Sequence, residues 1–540
     1  MRRAPGAPQE RAAHTVPGVA ATGALALALG CGEAGPPPAL TPAPRGATPA
    51  APSARAATRA PVEITLIYTS DEHGWILPTV ENGIVRGGAA ETLGQLKARE
   101  GHCVGGSAEC PDARTILLSG GDTFTGPAIS SYFSGEPAAE AMGAMGYAAI
   151  AFGNHEFDFG RSSFVANRKR TRAVYVAANV HATDPALRAE MELPPFTIIE
   201  RRGAKIAVVG LATETTLTSA MASRFVGVAF EAEEAALVRA VPQAWAAGAD
   251  AVVLIAHECP DKLLPILDRH RSFHLSFVGG GHCHKMMSER SGATPVVSPG
   301  WRFERYVRVP LTIDLDKPAR ERARPVTPEL VAVTHAEGDT EAPVDAALAS
   351  AAAGWQTKLD QALGEEVGYT ATGFTRNSTE IVRWIAGAFR AELKTDVALI
   401  NTGGIRQGLP KGAITKSTLW SILPFDNKLV ICKLKGRDLI VDLETEEAAF
   451  AGVEKTTRGY RLDGGKAINP EATYSVVTID YLYYGGSKFL FQKQDPSPNE
   501  IGIDWRAPLV DWMKRQKTTP AEPLERKIDL VGGTVPKPGH

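Results

Sequence analysis

An excess of charge of one sign is the feature that this sequence lacks most clearly. Its 540 residues include 58 Lys and Arg against 60 Asp and Glu, a formal net charge of −2. Proteins whose main task is to bind nucleic acid usually show a basic excess, so the balance argues against that class. It leaves room for a small anionic substrate, because a site can be locally positive in a neutral protein. The composition also excludes collagen, a coiled coil and a wholly disordered chain.

Long apolar runs are scarce as well. The longest is Val16–Leu29, which follows Arg2, Arg3 and Arg11. A basic stretch followed by an apolar run of about 7–15 residues and then small residues is typical of a secretory signal peptide. The run is shorter than the stretch of about 20 apolar residues that a transmembrane helix needs. No later segment is expected to span a membrane.

Cys31 directly follows this apolar region and resembles the cleavage site of a bacterial lipoprotein, where the cysteine becomes the acylated first residue. Residues 32–61 are rich in Pro and Ala, so they cannot bury a core and are expected to form an extended spacer. A spacer has a purpose after an anchor, which favours a lipoprotein over an ordinary cleaved signal with an incidental cysteine. The sequence therefore predicts a periplasmic or cell-surface protein that contacts the membrane through a lipid on Cys31.

Cysteine is rare, with six residues in the chain. Export implies an oxidising compartment, so Cys103 and Cys110, which flank a loop rich in Gly and Ser, are predicted to form a disulfide. Cys259 and Cys283 each lie close to a histidine. They could pair with each other, or they could be two small buried residues. With Cys432, five cysteines follow Cys31. Because five is an odd number, at least one of these thiols is free.

After the spacer the chain repeats one pattern five times, in which a short apolar strand runs into a tight turn with polar residues. Short β-branched runs bounded by glycine are typical of buried strands. Helix-like stretches such as Ala89–Arg99, Glu136–Met145 and Glu231–Ala247 lie between the strands. This alternation predicts a layered α/β domain with functional residues at the carboxyl ends of the strands. The predicted strands are Glu63–Tyr68, Thr115–Leu118, Tyr147–Phe152, Asp250–Ile255 and Leu275–Val278.

The five turns contain residues of metal-ligand type. A single Asp or Asn in a turn says little, since these residues are common in turns and helix caps. Together, however, the turns hold four of the twelve histidines, two aspartates and an asparagine. Seven such ligands suit two divalent ions, and carboxylate, imidazole and amide donors point to Zn, Mn, Fe or Co. The candidate ligands are Asp71, His73, Asp122, Asn154, His257, His282 and His284.

Two residues near these ligands have more specific predicted roles. Asp122 follows two glycines that let the backbone approach closely, so it is the natural carboxylate to bridge two ions about 3.5–4 Å apart, a spacing suited to phosphoryl displacement. His155 neighbours a candidate ligand and is followed three residues later by Asp158. A carboxylate that orients an imidazole and raises its pKa produces a general acid for the leaving group. The alternative for Asp158 is a carboxylate that stabilises a helix start.

The segment Ala141–Gly160, with its Asn-His-Glu-Phe-Asp sequence, closely resembles the bacterial 5′-nucleotidase/UDP-sugar hydrolase family of the calcineurin-like metallophosphoesterases. The motifs Asp71–Gly74, Gly120–Asp122 and Gly281–His284 match its other metal motifs in order. The resemblance implies a four-layer αββα metallophosphoesterase domain followed by a smaller α/β substrate-binding domain. It further implies one metal ion on Asp71, His73, Asp122 and His284, a second on Asp122, Asn154, His257 and His282, and His155 with Asp158 as the catalytic pair.

The second half of the chain contains the candidate substrate contacts. Arg406 lies in a Gly-rich turn after a strand, where a guanidinium can clamp a phosphate or can simply lie on the surface. Phe425 and Phe489 belong to two aromatic segments that could sandwich a base, although such residues are more often core. Ser487 and Lys488 stand where the family has Asp-Gly, so the reaction type is better supported than nucleotide specificity. The substrate-binding residues that the resemblance implies are Asn401, Arg406, Arg376, Arg383, Phe425, Phe489 and Asp495.

The sequence thus predicts an exported enzyme with two divalent metal ions that removes phosphate from nucleotides. A related phosphodiesterase for 2′,3′-cyclic nucleotides or UDP-sugars, a thiosulfate-ester hydrolase and a surface-tethered binding protein are the alternatives. A hinge near residues 355–370 would let the second domain carry substrate to the metals. The predicted organisation is a signal peptide at 1–31, the spacer at 32–61, a catalytic domain at 62–335, a linker at 336–365 and a substrate-binding domain at 366–535.

Overall fold

Two six-stranded sheets form the centre of the first part of the structure. The computed structural model of the chain describes residues 60–105, 110, 113–191, 193–324 and 327–528. The predicted signal peptide, Cys31 and the spacer up to residue 59 lie outside the described residues. Within the described ranges, no helix is both long enough and apolar enough to cross a bilayer.

The first sheet is parallel in the middle and antiparallel at one edge. Val62–Thr69 pairs in parallel with Thr115–Ser119 and in antiparallel with Arg305–Ile313. Because its neighbours cover it on both sides, the second half of Val62–Thr69 is fully buried, as its apolar sequence predicts. The order across the sheet is Glu329–Ala332, Arg305–Ile313, Val62–Thr69, Thr115–Ser119, Ala149–Ala151 and Val174–Val176.

The second sheet has the same plan, with parallel central strands and antiparallel edges. Ala251–His257 is buried at every position and pairs in parallel with Ala204–Ala212 and Phe277–Gly279. All five strands predicted from the sequence are therefore present, and their ends differ from the predicted ones by at most two residues. The order is Met286–Ser291, Thr294–Pro299, Phe277–Gly279, Ala251–His257, Ala204–Ala212 and Phe196–Arg201.

The two sheets pack face to face, and helices cover their outer faces. Leu66 and Ile116 of the first sheet and Val208 and Val253 of the second belong to one fully buried cluster. Separate apolar clusters join each sheet to its own helices. This arrangement is the predicted four-layer αββα architecture. The helices of this part are Ala89–Glu100, Ala128–Ser131, Glu136–Met145, Arg161–Thr171, Pro185–Glu190, Thr216–Ser219, Glu233–Ala246, Pro260–Arg269 and Ala319–Arg322.

Smaller elements complete this part. Two short sheets consist of Val180–Ala182 with Val228–Phe230, and of Thr79–Glu81, Ile84–Arg86 and Thr334–Ala336. Cys103 and Cys110 are joined by a disulfide, which confirms that prediction, whereas Cys259, Cys283 and Cys432 are free thiols.

The helix Ala346–Leu363 leads from the first part to the second. Asp345 caps it by accepting a hydrogen bond from the Leu348 amide. The helix packs against Ala89–Glu100 and Glu136–Met145, and Gly364 and Glu365 separate its end from the strand Glu366–Thr370. Since residues up to Leu363 are helical and packed, a hinge in the predicted interval would have to act close to Gly364. Both the hinge and the domain boundaries stay predictions.

The second part is a smaller α/β layer. Its main sheet has the order Ala448–Ala451, Val397–Asn401, Thr473–Ile479, Lys428–Lys435 and Asn499–Asp504. Glu366–Thr370 pairs with Gly412–Thr415, and Val453–Thr456 pairs with Gly459–Leu462. The helices are Thr379–Leu393, Lys416–Ile422, Gly436–Leu443, Asp480–Tyr483, Phe491–Gln494 and Arg506–Gln516. The fold class expected from the sequence is thus present in both parts.

Candidate active site

The seven predicted metal ligands lie together where strands of the two facing sheets end. Parallel strands bring their carboxyl ends to the same edge of a sheet, and face-to-face packing places the two edges side by side. His257 is the last residue of its strand, and the other ligands follow their strands within a few residues. The strands concerned are Val62–Thr69, Thr115–Ser119, Ala149–Ala151, Ala251–His257 and Phe277–Gly279.

Five of these ligands adopt a left-handed backbone conformation, which non-glycine residues rarely do. Each such residue costs on the order of 1–3 kcal/mol and persists where the surroundings enforce it, as functional sites often do. Here hydrogen bonds between loops enforce it, since the Asp71 amide donates to Gly121 O (3.0 Å) and the His73 amide to Asp122 O (2.8 Å). The residues and their φ angles are Asp71 (55°), His73 (47°), Asp122 (58°), His282 (67°) and His284 (57°).

Two glycines allow the loops to pack this closely. Gly121 has φ of +90°, and a Cβ there would lie 2.6 Å from the carbonyl oxygen of Ala151. A Cβ on Gly153 would lie 2.2 Å from Oδ1 of Asp122. No other residue type fits at either position without moving the ligand loops.

The first group of donors consists of Asp71, His73, Asp122 and His284, whose ligating atoms lie within 4.8 Å of one another. Nδ1 of His73 donates a hydrogen bond to Thr125 O (2.8 Å), which leaves a lone pair on its Nε2. That Nε2 lies 2.9 Å from Nε2 of His284 and 3.5 Å from Oδ2 of Asp122. Converging donors of this kind fit one divalent cation.

The second group consists of Asp122, His257 and His282, with Asn154 beside them. Nδ1 of His257 donates to Gly120 O (2.8 Å), so its Nε2 is the ligand atom. Oδ1 of Asn154 lies 2.9 Å from that Nε2 and 3.0 Å from Nδ1 of His282. Oδ2 of Asp122 is 3.1 Å from the same Nε2. Asp122 thus belongs to both donor groups, the position that a bridging carboxylate occupies.

The donor set also fits cations electrostatically. Asp71 is 0% exposed and Asp122 is 1% exposed. Burial raises the pKa of Asp71 to about 7, against the lowering effect of His257. An ionised Asp71 in this environment therefore needs a positive partner, and a bound divalent ion would supply it.

Two further buried carboxylates, absent from the sequence-based predictions, support the ligand loops. Glu156 accepts hydrogen bonds from the backbone amides of Asp122 (3.0 Å) and Thr123 (3.3 Å), and so holds the loop of the shared ligand. Glu72 accepts hydrogen bonds from the hydroxyls of Thr69 and Ser119. Their position directly beside candidate ligands in the sequence was the available signal.

His155 and Asp158 form the predicted pair at the edge of this centre. Nδ1 of His155 donates to Oδ2 of Asp158 at 2.7 Å, and the His155 side chain is 12% exposed. Burial alone would lower the pKa of His155, but the carboxylates of Asp158 and Asp122 outweigh burial and raise the pKa above its ordinary value. The ring of Phe425 stacks on His155 at 5.3 Å between centroids. The imidazole is thus oriented by Asp158, has a raised pKa and lies in the lining of the cavity described next.

A cavity of about 760 Å³ joins the donor groups to the second part of the chain. Asp122, His155 and Asp158 belong to its lining, together with residues of the C-terminal part. The lining residues that the C-terminal part contributes include Asn401, Arg406, Phe425, Glu447, Tyr481 and Ser487. The volume is within the range of small-molecule sites.

Arg406 is the arginine that the structure brings to the donor groups. Its Nη2 lies 3.2 Å from Nε2 of His73. Arg376 lies behind it, donating from Nε to Ile405 O at 2.9 Å, and does not line the cavity. Arg302, which the sequence reasoning missed, donates to Arg406 O (3.3 Å). Nothing in the sequence around Arg302 distinguished it from a surface arginine.

Arg383, like Arg376, is a predicted substrate-binding arginine that does not line the cavity. It lies in the helix Thr379–Leu393 and is absent from the cavity lining. Its Nε is buried without a hydrogen-bond partner among the described residues. The role predicted for Arg383 has no support from its position.

Phe489 and Asp495 also differ from their predicted roles. Phe489 is 2% exposed and stacks on Phe491 in the core of the second part, so it does not line the cavity. Asp495 accepts a hydrogen bond from the Lys433 amide (2.7 Å) beside an edge of the main sheet, away from the cavity lining. Left-handed backbone at Ser487 and Lys488 precedes Phe489 and directs the chain into the core.

Tyr481 supplies an aromatic ring to the cavity together with Phe425. Its hydroxyl donates to Thr218 O of the first part (3.0 Å) and accepts from the Ser487 amide (3.1 Å). Oγ of Ser487 in turn donates to Oε2 of Glu447 at 2.7 Å. The sequence-based prediction chose Phe489 and missed Tyr481, because the sequence pattern does not distinguish a ring in a cavity from a ring in a core.

Asn401 lines the cavity with an unused acceptor. It is 5% exposed, and its Nδ2 donates to Oε2 of Glu447 at 3.4 Å. Its Oδ1 is buried and accepts no hydrogen bond from any described residue. Because a buried unpaired carbonyl oxygen is costly, Asn401 is suited to accept a hydrogen bond from a ligand.

The C-terminal part matches a known family. Residues 366–494 match the family model described as "5'-nucleotidase, C-terminal domain". This segment is thus similar to the C-terminal domain of 5′-nucleotidases. The resemblance to bacterial 5′-nucleotidases that the motifs indicate is therefore confirmed.

Relatives extend the similarity to most of the chain. A 5′-nucleotidase of Vibrio cholerae is 24% identical over 488 residues, which are 79% of this chain and 86% of that protein. Endonuclease YhcR of Bacillus subtilis is 23% identical over 462 residues, 78% of this chain. The chain spans only 37% of the length of that relative.

A solved structure shares the fold. The 5′-nucleotidase precursor of Thermus thermophilus has a TM-score of 0.71 and 22% identity, and the match covers 85% of this chain and 97% of that one. At this identity the likeness is evidence for the two-part fold and not for a substrate.

Proposed function

We propose that the chain is a dinuclear-metal phosphohydrolase that removes phosphate from nucleotides. The observation that carries this proposal is that two donor groups share Asp122 and open onto one cavity with His155 and Arg406. A structural metal site would need neither the His155–Asp158 pair nor a guanidinium beside it. The description of the family model and the name of the Vibrio cholerae relative support the same reaction.

Each group in the centre has a chemical task. Two divalent ions, when bound, polarise the phosphoryl group and lower the pKa of water. Arg406 is placed to bind phosphoryl oxygens through its planar fork of donors. His155, protonated and held by Asp158, is placed to donate its proton to the leaving oxygen. Glu156 keeps the loop of Asp122 in place during turnover.

The wall of the cavity that the C-terminal part contributes suits a nucleoside. Phe425 and Tyr481 present aromatic faces, and stacking on such a face is worth about 1–3 kcal/mol per base. The carboxylate of Glu447 and Oδ1 of Asn401 are acceptors, suited to ribose hydroxyls or to N–H groups of a base. We therefore place the phosphate near Arg406 and the base between the two rings.

Metal identity and location are part of the same proposal. The donors are imidazoles, carboxylates and one amide, a set suited to Zn, Mn, Fe or Co. From residues 1–31 and Cys31 we propose that the protein is exported and lipid-anchored. Its substrate would then lie outside the cytoplasm.

The test is metal analysis of the purified chain followed by a hydrolysis screen with Mn²⁺ or Zn²⁺. The screen contains 5′-mononucleotides, 2′,3′-cyclic nucleotides, a UDP-sugar, a thiosulfate ester and p-nitrophenyl phosphate. We expect two metal ions per chain at the nucleotidase centre and the highest kcat/KM for a 5′-mononucleotide.

If the chain prefers a cyclic nucleotide, a UDP-sugar or a thiosulfate ester, the proposed metal centre stands and that ester replaces the 5′-mononucleotide as the proposed substrate. Nucleotide binding without turnover, unchanged by Asp122→Ala, would identify a binding protein and overturn the proposal.

A further inference from the structure

A second kind of donor cluster lies beside the nucleotidase centre. Sγ of Cys259, Sγ of Cys283 and a carboxylate oxygen of Asp261 lie within 4.8 Å of one another. Both cysteines are free thiols and are partly exposed. None of these three residues belongs to the donor groups that share Asp122.

The cluster joins two loops that carry ligands of the nucleotidase centre. Cys259 precedes the helix Pro260–Arg269 and follows His257 by two residues. Cys283 stands between His282 and His284. The loops touch through the backbone as well, since the Gly281 amide donates to Glu258 O at 3.0 Å. A bond across the cluster would therefore fix the two loops relative to each other.

The geometry distinguishes this pair from the disulfide elsewhere in the chain. Cys103 and Cys110 are covalently joined, whereas Cys259 and Cys283 stand as separate thiols in contact. Zinc–thiolate bonds are about 2.3 Å long, so two sulfurs on one tetrahedral ion lie about 3.8 Å apart. Two sulfurs and a carboxylate oxygen that all lie within 4.8 Å of one another can accommodate that spacing.

We propose that Cys259, Cys283 and Asp261 form a third metal site, for a thiophilic divalent ion of the Zn²⁺ class. Thiolate donors select such ions over Mg²⁺, Ca²⁺ and Mn²⁺. Binding releases the two thiol protons to solvent, and water completes the tetrahedron because the site is partly exposed. The ion clamps the loop of His282 and His284 to the end of the strand that carries His257. The proposal does not depend on the substrate of the enzyme.

The probe is Cd²⁺, which gives a sulfur-to-metal charge-transfer band in the ultraviolet. The full chain is stripped of metal, reduced with a phosphine and titrated with Cd²⁺. We expect three ions per chain, with a thiolate band that saturates at one ion. Cys259→Ser/Cys283→Ser should bind two ions, lose the band and lose the part of the Cd²⁺-induced rise in Tm that belongs to this site.

Cys432→Ser is the matched control, because Cys432 is a free thiol in the core of the second part. It should keep three ions and the full band. If the double variant is unstable, two single variants test the same point. Cys259→Ser should lose most of the thiolate band, and Asp261→Asn should bind Cd²⁺ more weakly.

Two results would overturn the proposal. One is a titration that ends at two ions without a thiolate band. The other is purified chain in which alkylation and mass analysis find Cys259 and Cys283 joined by a disulfide, since these sulfurs could then hold no ion.

Discussion

The metal-binding end of the two sheets and the C-terminal wall of the cavity are built in different ways. At the metal end the ligands are short side chains, nearly all fully buried, on loops that hydrogen-bond to one another through the backbone. At the wall, Arg406, Phe425 and Tyr481 are long side chains that are partly exposed. Reaction chemistry needs ligands held to a fraction of an ångström, whereas recognition of a base tolerates adjustment.

The strongest test of this difference removes the shared ligand. Asp122→Asn keeps the shape of the side chain but takes a charge from both donor groups. We expect hydrolysis to fall by more than the factor of about 10²–10⁴ that a general acid contributes, together with a loss of metal measured by elemental analysis. Full metal content with full activity would show that the two donor groups do not function as one centre.

The proposed catalytic pair, His155 and Asp158, comes next in expected effect. His155→Ala should lower kcat by about 10²–10⁴-fold for an alkoxide leaving group, with metal content unchanged. Asp158→Asn should lower kcat less and shift the alkaline limb of the pH–rate profile to lower pH. Asp158 raises the pKa of His155, so without it the imidazole loses its proton at lower pH. If the alkaline limb does not move, Asp158 does not control the protonation of His155.

Glu156 tests whether support behind the ligands matters as much as the structure suggests. Glu156→Gln keeps one acceptor for the backbone of Asp122 but replaces the second carboxyl oxygen with a donor. Changes of this kind behind metal ligands cost about 10–100-fold in metal affinity or activity. Competition with a chelator measures that affinity, and an unaltered value would mean that the loop is held by Gly121 and its neighbours alone.

Tyr481 and Phe489 give the smallest and most selective effect. Tyr481→Ala should weaken nucleotide binding by about 1–3 kcal/mol, seen in KM, and leave kcat/KM for p-nitrophenyl phosphate nearly unchanged. Phe489→Ala should instead lower the free energy of unfolding by about 3–5 kcal/mol without a selective rise in KM. If Phe489→Ala raised KM for the nucleotide selectively and Tyr481→Ala did not, Phe489 would be the residue that stacks on the base.

The success of the sequence-based predictions follows the same division. Asp71, His73 and His284 could be placed because few residue types bind metals and because each follows a recognisable buried strand. The aromatic and acidic residues of the second part could not be placed as well, since Phe489 and Asp495 serve packing and edge contacts as readily as recognition. Arg302, Glu156 and Tyr481 gain their roles from neighbours more than thirty positions away, which no local pattern specifies.

The sequence by itself determined the order of strands and helices, the types of donor at the strand ends and the His155–Asp158 pair, because period, turn chemistry and ligand chemistry are local properties. Tertiary structure alone decided which rings and carboxylates face the cavity and that Asp122 lies in both donor groups. It also brought Cys259 and Cys283 together. Those relations depend on how two sheets and a second domain pack, and packing joins residues that the chain keeps far apart.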